Sequence, residues 1–71
     1  MISYSVRNRS PYYQEFVYRN DFLIGDIMEF PVLGYFLVTV QTNDNPLSTK
    51  VQSYKTISQA KQYISSLFNQ V

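Results

Sequence analysis

Acid–base or metal chemistry in this chain would have to come from carboxylates, because its 71 residues include no histidine and no cysteine. Histidine titrates near neutral pH, and histidine and cysteine are the commonest zinc ligands. If the chain turns tightly at Asn20-Asp21, Glu15 lies opposite Asp26. Two carboxylates can share a proton or bind a hard cation, but two ligands on a flat sheet make a poor site. We expect a solvated pair there, and no metal or cofactor.

Phosphate-binding loops and nucleophile motifs are also missing from the sequence. A phosphate loop needs several closely spaced glycines, and Gly25 and Gly34 are the two glycines of the chain. We therefore predict no catalytic site and no enzymatic activity. Without disulfides, the stability of so short a chain must come from packing, mainly of its seven tyrosines and five phenylalanines.

Nucleic-acid binding is a second candidate chemistry, because basic side chains are interleaved with tyrosines. Sheets can enter a major groove, and aromatic side chains can stack on bases. However, the net charge is only +1, and Asp21, Asp26 and Glu29 lie in the central part of the predicted sheet. DNA-binding domains are usually more basic. The sequence disfavours a nucleic-acid partner but keeps it as the alternative, through Arg7, Arg9, Arg19, Lys50 and Lys55.

A predicted β-hairpin over residues 22–42 organises the chain. Phe22–Phe30 and Tyr35–Thr42 are rich in aromatic and β-branched residues, as strands are. Pro31 ends the first strand, and Gly34 provides the positive φ that a four-residue loop commonly needs. The resulting register pairs Phe30 with Tyr35, Glu29 with Phe36, Met28 with Leu37, Ile27 with Val38 and Gly25 with Val40.

A third strand is predicted within residues 12–20, before the turn at Asn20-Asp21. Asn and Asp tolerate the left-handed conformation of such a turn. A regular two-residue turn pairs Tyr18 with Leu23 and Phe16 with Gly25. Because directly opposed residues share a face, one apolar face is predicted to contain Phe16, Tyr18, Leu23, Ile27, Phe36, Val38 and Val40.

The remaining segments flank this three-stranded meander at 12–42. Residues 1–10 alternate between apolar and polar, which predicts an edge strand or, alternatively, an arm that pairs with another chain. Asn43–Ser48 has the composition of a loop, and Thr49–Tyr54 that of a short strand. A helix is predicted over residues 56–70, capped by Thr56, with an apolar stripe of Ile57, Ala60, Ile64, Leu67, Phe68 and Val71.

The segment YKTISQAKQYI, residues 54–64, resembles the ending of many small bacterial and phage-encoded proteins with a β-β-β-α layout. The arm-binding domains of phage-type integrases end similarly. The resemblance implies a fold class and a phage- or mobile-element-encoded origin. Together with the patterns above, it predicts one α+β domain over residues 1–71. This domain is an antiparallel sheet of three to four strands with one carboxy-terminal amphipathic helix packed on one face.

Excess apolar surface is the feature that points to a function. One helix can cover one face of a sheet, and large exposed apolar patches mark interfaces. The alternative, which the sequence leaves open, is that Ile2, Tyr4, Val6 and Tyr12-Tyr13 fold over the second face. We predict a small protein-binding or regulatory protein whose partner is another protein or a second copy in a homodimer. Its predicted contact residues are Phe22, Ile24, Met28, Phe30, Val32, Leu33, Tyr35 and Leu37.

Membrane insertion is not expected. The longest uncharged apolar run, Pro31–Val40, falls well short of the roughly 20 residues that span a bilayer. The amino terminus lacks the basic-then-apolar pattern of a signal sequence. We therefore expect a soluble cytoplasmic protein.

Overall fold

The strands lie in one antiparallel sheet in the same order as in the chain, β1-β2-β3-β4-β5. The computed structural model describes residues 1–42 and 48–68, and its one helix there, α1, follows the strands. The α+β class is confirmed, but the predicted three to four strands were too few. The elements are β1 (Ile2–Asn8), β2 (Gln14–Arg19), β3 (Phe22–Phe30), β4 (Tyr35–Gln41), β5 (Thr49–Tyr54) and α1 (Ile57–Phe68).

Residues 1–10 account for the additional strand. β1 pairs with β2 from Ile2–Arg19 to Asn8–Gln14, so it is an edge strand of the same sheet and not a free arm. β5 forms the opposite edge and has the predicted bounds, Thr49–Tyr54. The predicted loop at Asn43–Ser48 falls largely on residues outside the described part of the chain, which resumes at Ser48.

Both predicted turns are confirmed. Asn20 and Asp21 adopt φ values of 51° and 71°, the left-handed conformation that a two-residue turn between β2 and β3 requires. Gly34 has φ 79°, and its amide donates a hydrogen bond of 2.8 Å to the Phe30 carbonyl. The β3–β4 register is as predicted, from Gly25 opposite Val40 to Phe30 opposite Tyr35.

The β2–β3 register departs from the prediction because β3 contains a bulge. Tyr18 pairs with Leu23 as expected, but the next pair is Val17 with Gly25, so Ile24 is the extra residue. A bulge shifts every following pair by one position. Residues of β2 beyond the bulge that were expected on one face of the sheet therefore lie on the other. Phe16 therefore lies opposite Asp26 and not Gly25. The predicted aromatic–glycine pair is wrong.

Position 25, next to this bulge, requires glycine for a steric reason. A Cβ atom added at Gly25 would lie 1.8 Å from the Thr39 carbonyl oxygen and 2.7 Å from the Val40 Cα. Both are backbone atoms of β4, which cannot move aside as a flexible side chain can. The backbones of β3 and β4 thus approach too closely here for any residue other than glycine.

The core lies between the sheet and α1. Four strand residues and two helix residues are fully buried: Val17, Ile27, Val38, Val40, Ala60 and Ile64. Leu67 and Phe68 pack against them, which confirms four members of the predicted helical stripe, whereas Ile57 does not belong to this cluster. Val17 takes the core position that the predicted register assigned to Phe16 and Tyr18.

The start of α1 agrees with the predicted cap. The Gln59 amide donates a hydrogen bond of 3.1 Å to the Thr56 hydroxyl, and the Ala60 amide donates one of 3.2 Å to the Thr56 carbonyl. The first bond satisfies an amide that has no partner within the helix, and the second is the first backbone bond of the helix itself. α1 ends at Phe68 in the described part of the chain, so Val71 of the predicted stripe lies outside it. Among the described residues, no helix has the length and apolar character needed to cross a membrane.

Candidate functional site

Strand pairing divides the sheet into two chemically different faces. The helix-covered face contains the core positions Val17, Ile27, Val38 and Val40, with Tyr4, Phe36 and Tyr54 at their sides. We call the other side of the sheet the open face, because none of its residues belongs to the core cluster formed with α1. Its apolar and aromatic residues are Phe16, Tyr18, Leu23, Met28, Phe30, Tyr35, Leu37 and Val51.

The amino-terminal segment does not cover the open face. Ile2 and Tyr4 pack against the core cluster on the helix side, and Val6 shares that side because it pairs with Glu15. Tyr13 also lies toward that side, where its ring makes an edge contact with Phe36 at 6.5 Å. The alternative in which these residues fold over the second face is therefore wrong for Ile2, Tyr4, Val6 and Tyr13, whereas Tyr12 lies beside Met28 and Phe30 at the border of that face. Within residues 1–42 and 48–68, the open face keeps its apolar side chains at least partly accessible.

Half of the predicted contact residues lie together on the open face. Met28 is opposite Leu37 and Phe30 is opposite Tyr35, as predicted, and the rings of Phe30 and Tyr35 lie 5.3 Å apart. The four side chains are neighbours because pairs on adjacent positions of the same face lie close together in an antiparallel ladder. They form one continuous apolar patch at the end of the sheet that carries the β3–β4 turn.

The other predicted contact residues lie elsewhere. Val32 and Leu33 are at the tip of the β3–β4 turn, where they are 97% and 65% exposed. Ile24, the bulge residue, packs against the core cluster. Phe22 pairs with Arg19, whose guanidinium lies over the Phe68 ring of α1, so this pair is on the helix side. The assignment of Phe22 and Ile24 to the second face is therefore wrong. The bulge is the reason, since it breaks the alternation that the prediction assumed.

Four open-face residues were missed by the sequence reasoning, one of them Tyr18, which was assigned to the core face and pairs with Leu23 on the open face. Phe16 and Leu23 were assigned to the core face, whereas pairing places them with Asp26 and Tyr18 on the open face. Val51 pairs with Thr39 on β5 and is 57% exposed. The signal for Phe16 was Gly25, because a glycine inside a strand pattern often marks a bulge.

Polarity on the open face changes from the centre of the sheet to its edges. The apolar residues come mainly from the three central strands, β2, β3 and β4. The edge strands contribute mainly hydroxyl side chains to this face: Ser3 and Ser5 from β1, and Thr49 and Ser53 from β5. The paired residues Asp26 and Thr39 border the apolar patch on the side away from the β3–β4 turn. An apolar patch surrounded by polar residues is the arrangement found in protein–protein interfaces.

An apolar groove continues the patch past the edge of the sheet. It lies between the β1–β2 connection and the end of β3, and is lined by Pro11, Tyr12, Met28, Glu29, Phe30 and Pro31. The connection is tied to the sheet by two hydrogen bonds: the Glu29 amide donates to the Tyr13 carbonyl at 2.8 Å, and the Tyr13 amide donates to Glu29 Oε1 at 3.0 Å. These bonds hold the groove wall beside Phe30.

The open face has very little charge. Among the described residues, Asp26 is the one Asp, Glu, Lys or Arg that strand pairing assigns to it. Its carboxylate accepts a hydrogen bond of 2.8 Å from Gln14 Nε2, a neighbour on the same face. Glu15, predicted to lie opposite Asp26, instead pairs with Ile27 and lies on the helix-covered face. The predicted carboxylate pair does not exist, because the bulge separates its members onto opposite faces.

Glu15 belongs to a buried ionic cluster under α1, with Lys61, Tyr13 and Tyr4. Glu15 is only 4% exposed, and Lys61 Nζ lies 3.1 Å from its Oε2. The Tyr13 hydroxyl donates a hydrogen bond of 2.8 Å to Glu15 Oε1, and Lys61 Nζ lies 4.4 Å from the centroid of the Tyr4 ring. A buried carboxylate costs free energy unless it is paired and hydrogen-bonded, so the contacts with Lys61 and Tyr13 offset the cost of burying Glu15 and connect α1 to β1 and β2.

The titration behaviour of the two tyrosines reflects this environment. Burial, and then the hydrogen bond to the Glu15 carboxylate, raises the pKa of Tyr13 above its usual value. Burial, and then the negative charge of Glu15, raises the pKa of Tyr4, which Ser65 nearby partly offsets. Nevertheless, the buried Tyr4 hydroxyl has no hydrogen-bond partner among the residues that the structure describes. Both shifts stabilise the neutral phenol over the charged phenolate.

The five basic residues of the nucleic-acid alternative are dispersed. Arg7 and Arg9 are in and after β1, whereas Lys50 and Lys55 are in and after β5, at the other edge of the sheet. The Arg19 guanidinium lies 5.0 Å above the Phe68 ring, on the helix side. Lys50 also faces the helix side, because it pairs with Val40. Strand pairing thus assigns none of these residues to the aromatic open face.

No cluster of three or more potential metal ligands of the types His, Cys, Asp and Glu occurs in the part of the chain that the structure describes. Comparisons of the chain with family models, curated proteins and solved structures found no match. The function of this protein therefore has to be inferred from its own surfaces.

Proposed function

We propose that this is a small non-enzymatic protein that acts by docking the open face of its sheet against an apolar, nearly uncharged protein surface. The observation that carries the proposal is the patch of Phe16, Met28, Phe30, Tyr35 and Leu37, which α1 leaves uncovered. Antiparallel sheets with one solvated face normally have polar residues there. Apolar residues on both sides of β3 and β4 support a role for both faces in packing.

The shape of the surface supports a protein partner over a small ligand. The patch is the broad side of a sheet, and the groove beside Phe30 is shallow and lined mainly by apolar side chains. Small-molecule sites are usually concave and place a few polar groups around the ligand. A flat apolar patch with a polar rim is instead typical of interfaces between proteins.

Duplex or single-stranded nucleic acid is the less favoured candidate. Base stacking would use the aromatic open face, but phosphate binding needs lysine or arginine close to the stacked bases. Among the described residues, strand pairing places one charged side chain on this face, the negative Asp26. Lys50 and Arg19 lie on the opposite side of the sheet. A partner with exposed apolar side chains therefore fits better than a polyanion.

A matched pair of substitutions tests the proposal. Leu37→Asp puts a charge inside the apolar patch of the open face, and Gln62→Asp puts the same charge on an exposed position of α1. Affinity capture from cells that produce the protein, with nuclease present, should recover the same associated proteins with wild type and Gln62→Asp. Leu37→Asp should lose them, because an unpaired charge in an interface is strongly unfavourable.

Thermal melting of the same proteins completes this test. Leu37→Asp should melt close to wild type, because Leu37 lies outside the core cluster. If its melting temperature falls far below that of Gln62→Asp when both proteins are diluted until they are monomeric, the open face is needed for folding, and the proposal is wrong. Association that survives Leu37→Asp unchanged would also contradict it.

A further inference from the structure

The area of the open face matches the requirement of a stable dimer. Five strands spaced about 4.8 Å apart, with about seven residues rising about 3.3 Å each, give a footprint of about 550 Å². Side-chain relief makes the accessible area larger than this flat footprint. Stable interfaces bury about 600–1,000 Å² on each partner. One copy of this face, docked along its whole width, reaches that range.

The charge of the open face favours a copy of itself as the occupant. In a dimer with two-fold symmetry the same patch is used on both subunits, so like charges on it are brought toward each other. A face that binds an oppositely charged partner would carry several charges of one sign. In the described chain, pairing assigns to this face only Asp26, and Gln14 already hydrogen-bonds its carboxylate.

The distribution of side chains points the same way. Two sheets pack face to face when the inner faces of both are apolar, with strands crossing at about 30° and the layers about 10 Å apart. Leu23, Met28, Phe30 and Leu37 on the open face provide such an inner surface, and α1 lies on the outer side. Two copies would form a layered sandwich with a helix outside each sheet, and their serine- and threonine-bearing edge strands would form the rim.

From these observations we infer that the partner of the open face is a second copy of this chain, docked sheet to sheet. The inference rests on the proposed function and names its partner. It makes the patch of Phe16, Met28, Phe30, Tyr35 and Leu37 the centre of a homodimer interface. The pair Asp26–Gln14 then becomes a polar element that is desolvated on dimer formation.

Sedimentation equilibrium on the purified chain, over concentrations from micromolar to millimolar, tests this inference. Wild type should be a reversible dimer. Leu37→Asp should raise the dimer Kd by at least about 100-fold, because the charge is buried twice in a symmetric interface. Leu37→Thr, which retains a strand-forming side chain, should raise it by about 10-fold. Gln62→Asp should leave it unchanged.

Asp26→Asn is expected to change the dimer Kd in the opposite direction. The amide keeps a hydrogen-bond acceptor for Gln14 but removes the charge that the dimer desolvates in both copies. The dimer Kd should therefore fall by about 3–10-fold. A different protein that had evolved to bind this face would offer a donor or a cation to Asp26, and the same substitution would then weaken binding. A weaker dimer in Asp26→Asn would overturn the sheet-to-sheet arrangement.

The outcomes separate this inference from the proposed function. A wild-type chain that stays monomeric at millimolar concentration, with Leu37→Asp folded normally, overturns the second copy as partner but leaves the open face to a different protein. A Leu37→Asp or Leu37→Thr variant that melts far below wild type at a concentration where wild type is itself monomeric overturns both, because Leu37 would then stabilise the monomer. A dimer that tolerates both substitutions uses another surface, which also overturns the inference.

Discussion

Leu37 and Val38 are neighbours along β4, yet they belong to surfaces with different roles. Val38 is fully buried under α1, and Leu37 lies on the open face, half-buried only by its neighbours in the sheet. Both side chains are aliphatic, so composition does not distinguish them. The difference comes from α1, which covers one side only. An apolar residue in this sheet is thus a core residue or an interface residue according to the side it faces.

The largest expected effect is therefore that of a charge on the helix-covered face. Val38→Asp should destabilise the fold by more than about 4 kcal/mol, because it buries a carboxylate with no partner. A chain of this size has little stability to lose, so the variant should be unfolded at 25 °C by circular dichroism. Leu37→Asp, one residue away, is the control and should fold. Equal destabilisation of the two variants would contradict the division into faces.

Removing the cation of the buried ionic cluster should have an intermediate effect. Lys61→Met keeps much of the aliphatic stem but leaves Glu15 buried with the Tyr13 hydroxyl as its remaining partner. We expect a loss of about 1–3 kcal/mol in urea unfolding, the cost of an undercompensated buried group. The Glu15→Gln substitution in the Lys61→Met background should recover part of it, because the uncompensated charge is gone. No recovery would mean that Lys61 acts through packing alone.

Deleting Ile24 should have the smallest effect of the three. With Ile24 removed, Tyr18–Leu23 and Val17–Gly25 become consecutive pairs of a regular ladder. The two faces should keep the same residues, at a cost of about 1–2 kcal/mol for the lost burial of one isoleucine. Nuclear Overhauser contacts between the backbones of Val17 and Gly25 check the register. Contacts between Phe16 and Gly25 instead would show that the bulge residue determines which β2 side chains reach the core.

Sequence patterns predicted the parts of this fold that depend on local backbone chemistry. Pro31 and Gly34 defined the β3–β4 register, and Asn20-Asp21 defined the turn before β3. The cap at Thr56 placed the start of α1. In each case one or two residues have a conformational preference strong enough to identify the structure without long-range information.

The bulge and the buried ionic cluster could not be predicted in this way. Ile24 fits an ordinary strand pattern, and its extra position appears only when both strands are paired. Gly25 marked the place, but the pattern was interpreted as an aromatic–glycine pair. Glu15 and Lys61 are 46 residues apart, and no local pattern connects them. The open-face patch was predicted in part, through Met28, Phe30, Tyr35 and Leu37, because that hairpin register needed no correction.

The position of α1 after all five strands has a consequence for folding. Neighbouring strands in the sheet are neighbours in the chain, so the sheet can form from short-range contacts, which fold quickly. Until α1 docks, however, Val17, Ile27 and Val38 are as accessible as Met28 and Leu37, and a second molecule could attach to either side. Transiently exposed apolar surface promotes aggregation. Refolding yield should therefore fall as protein concentration rises. Bulky groups attached covalently to α1 should hinder its docking and lower the yield further.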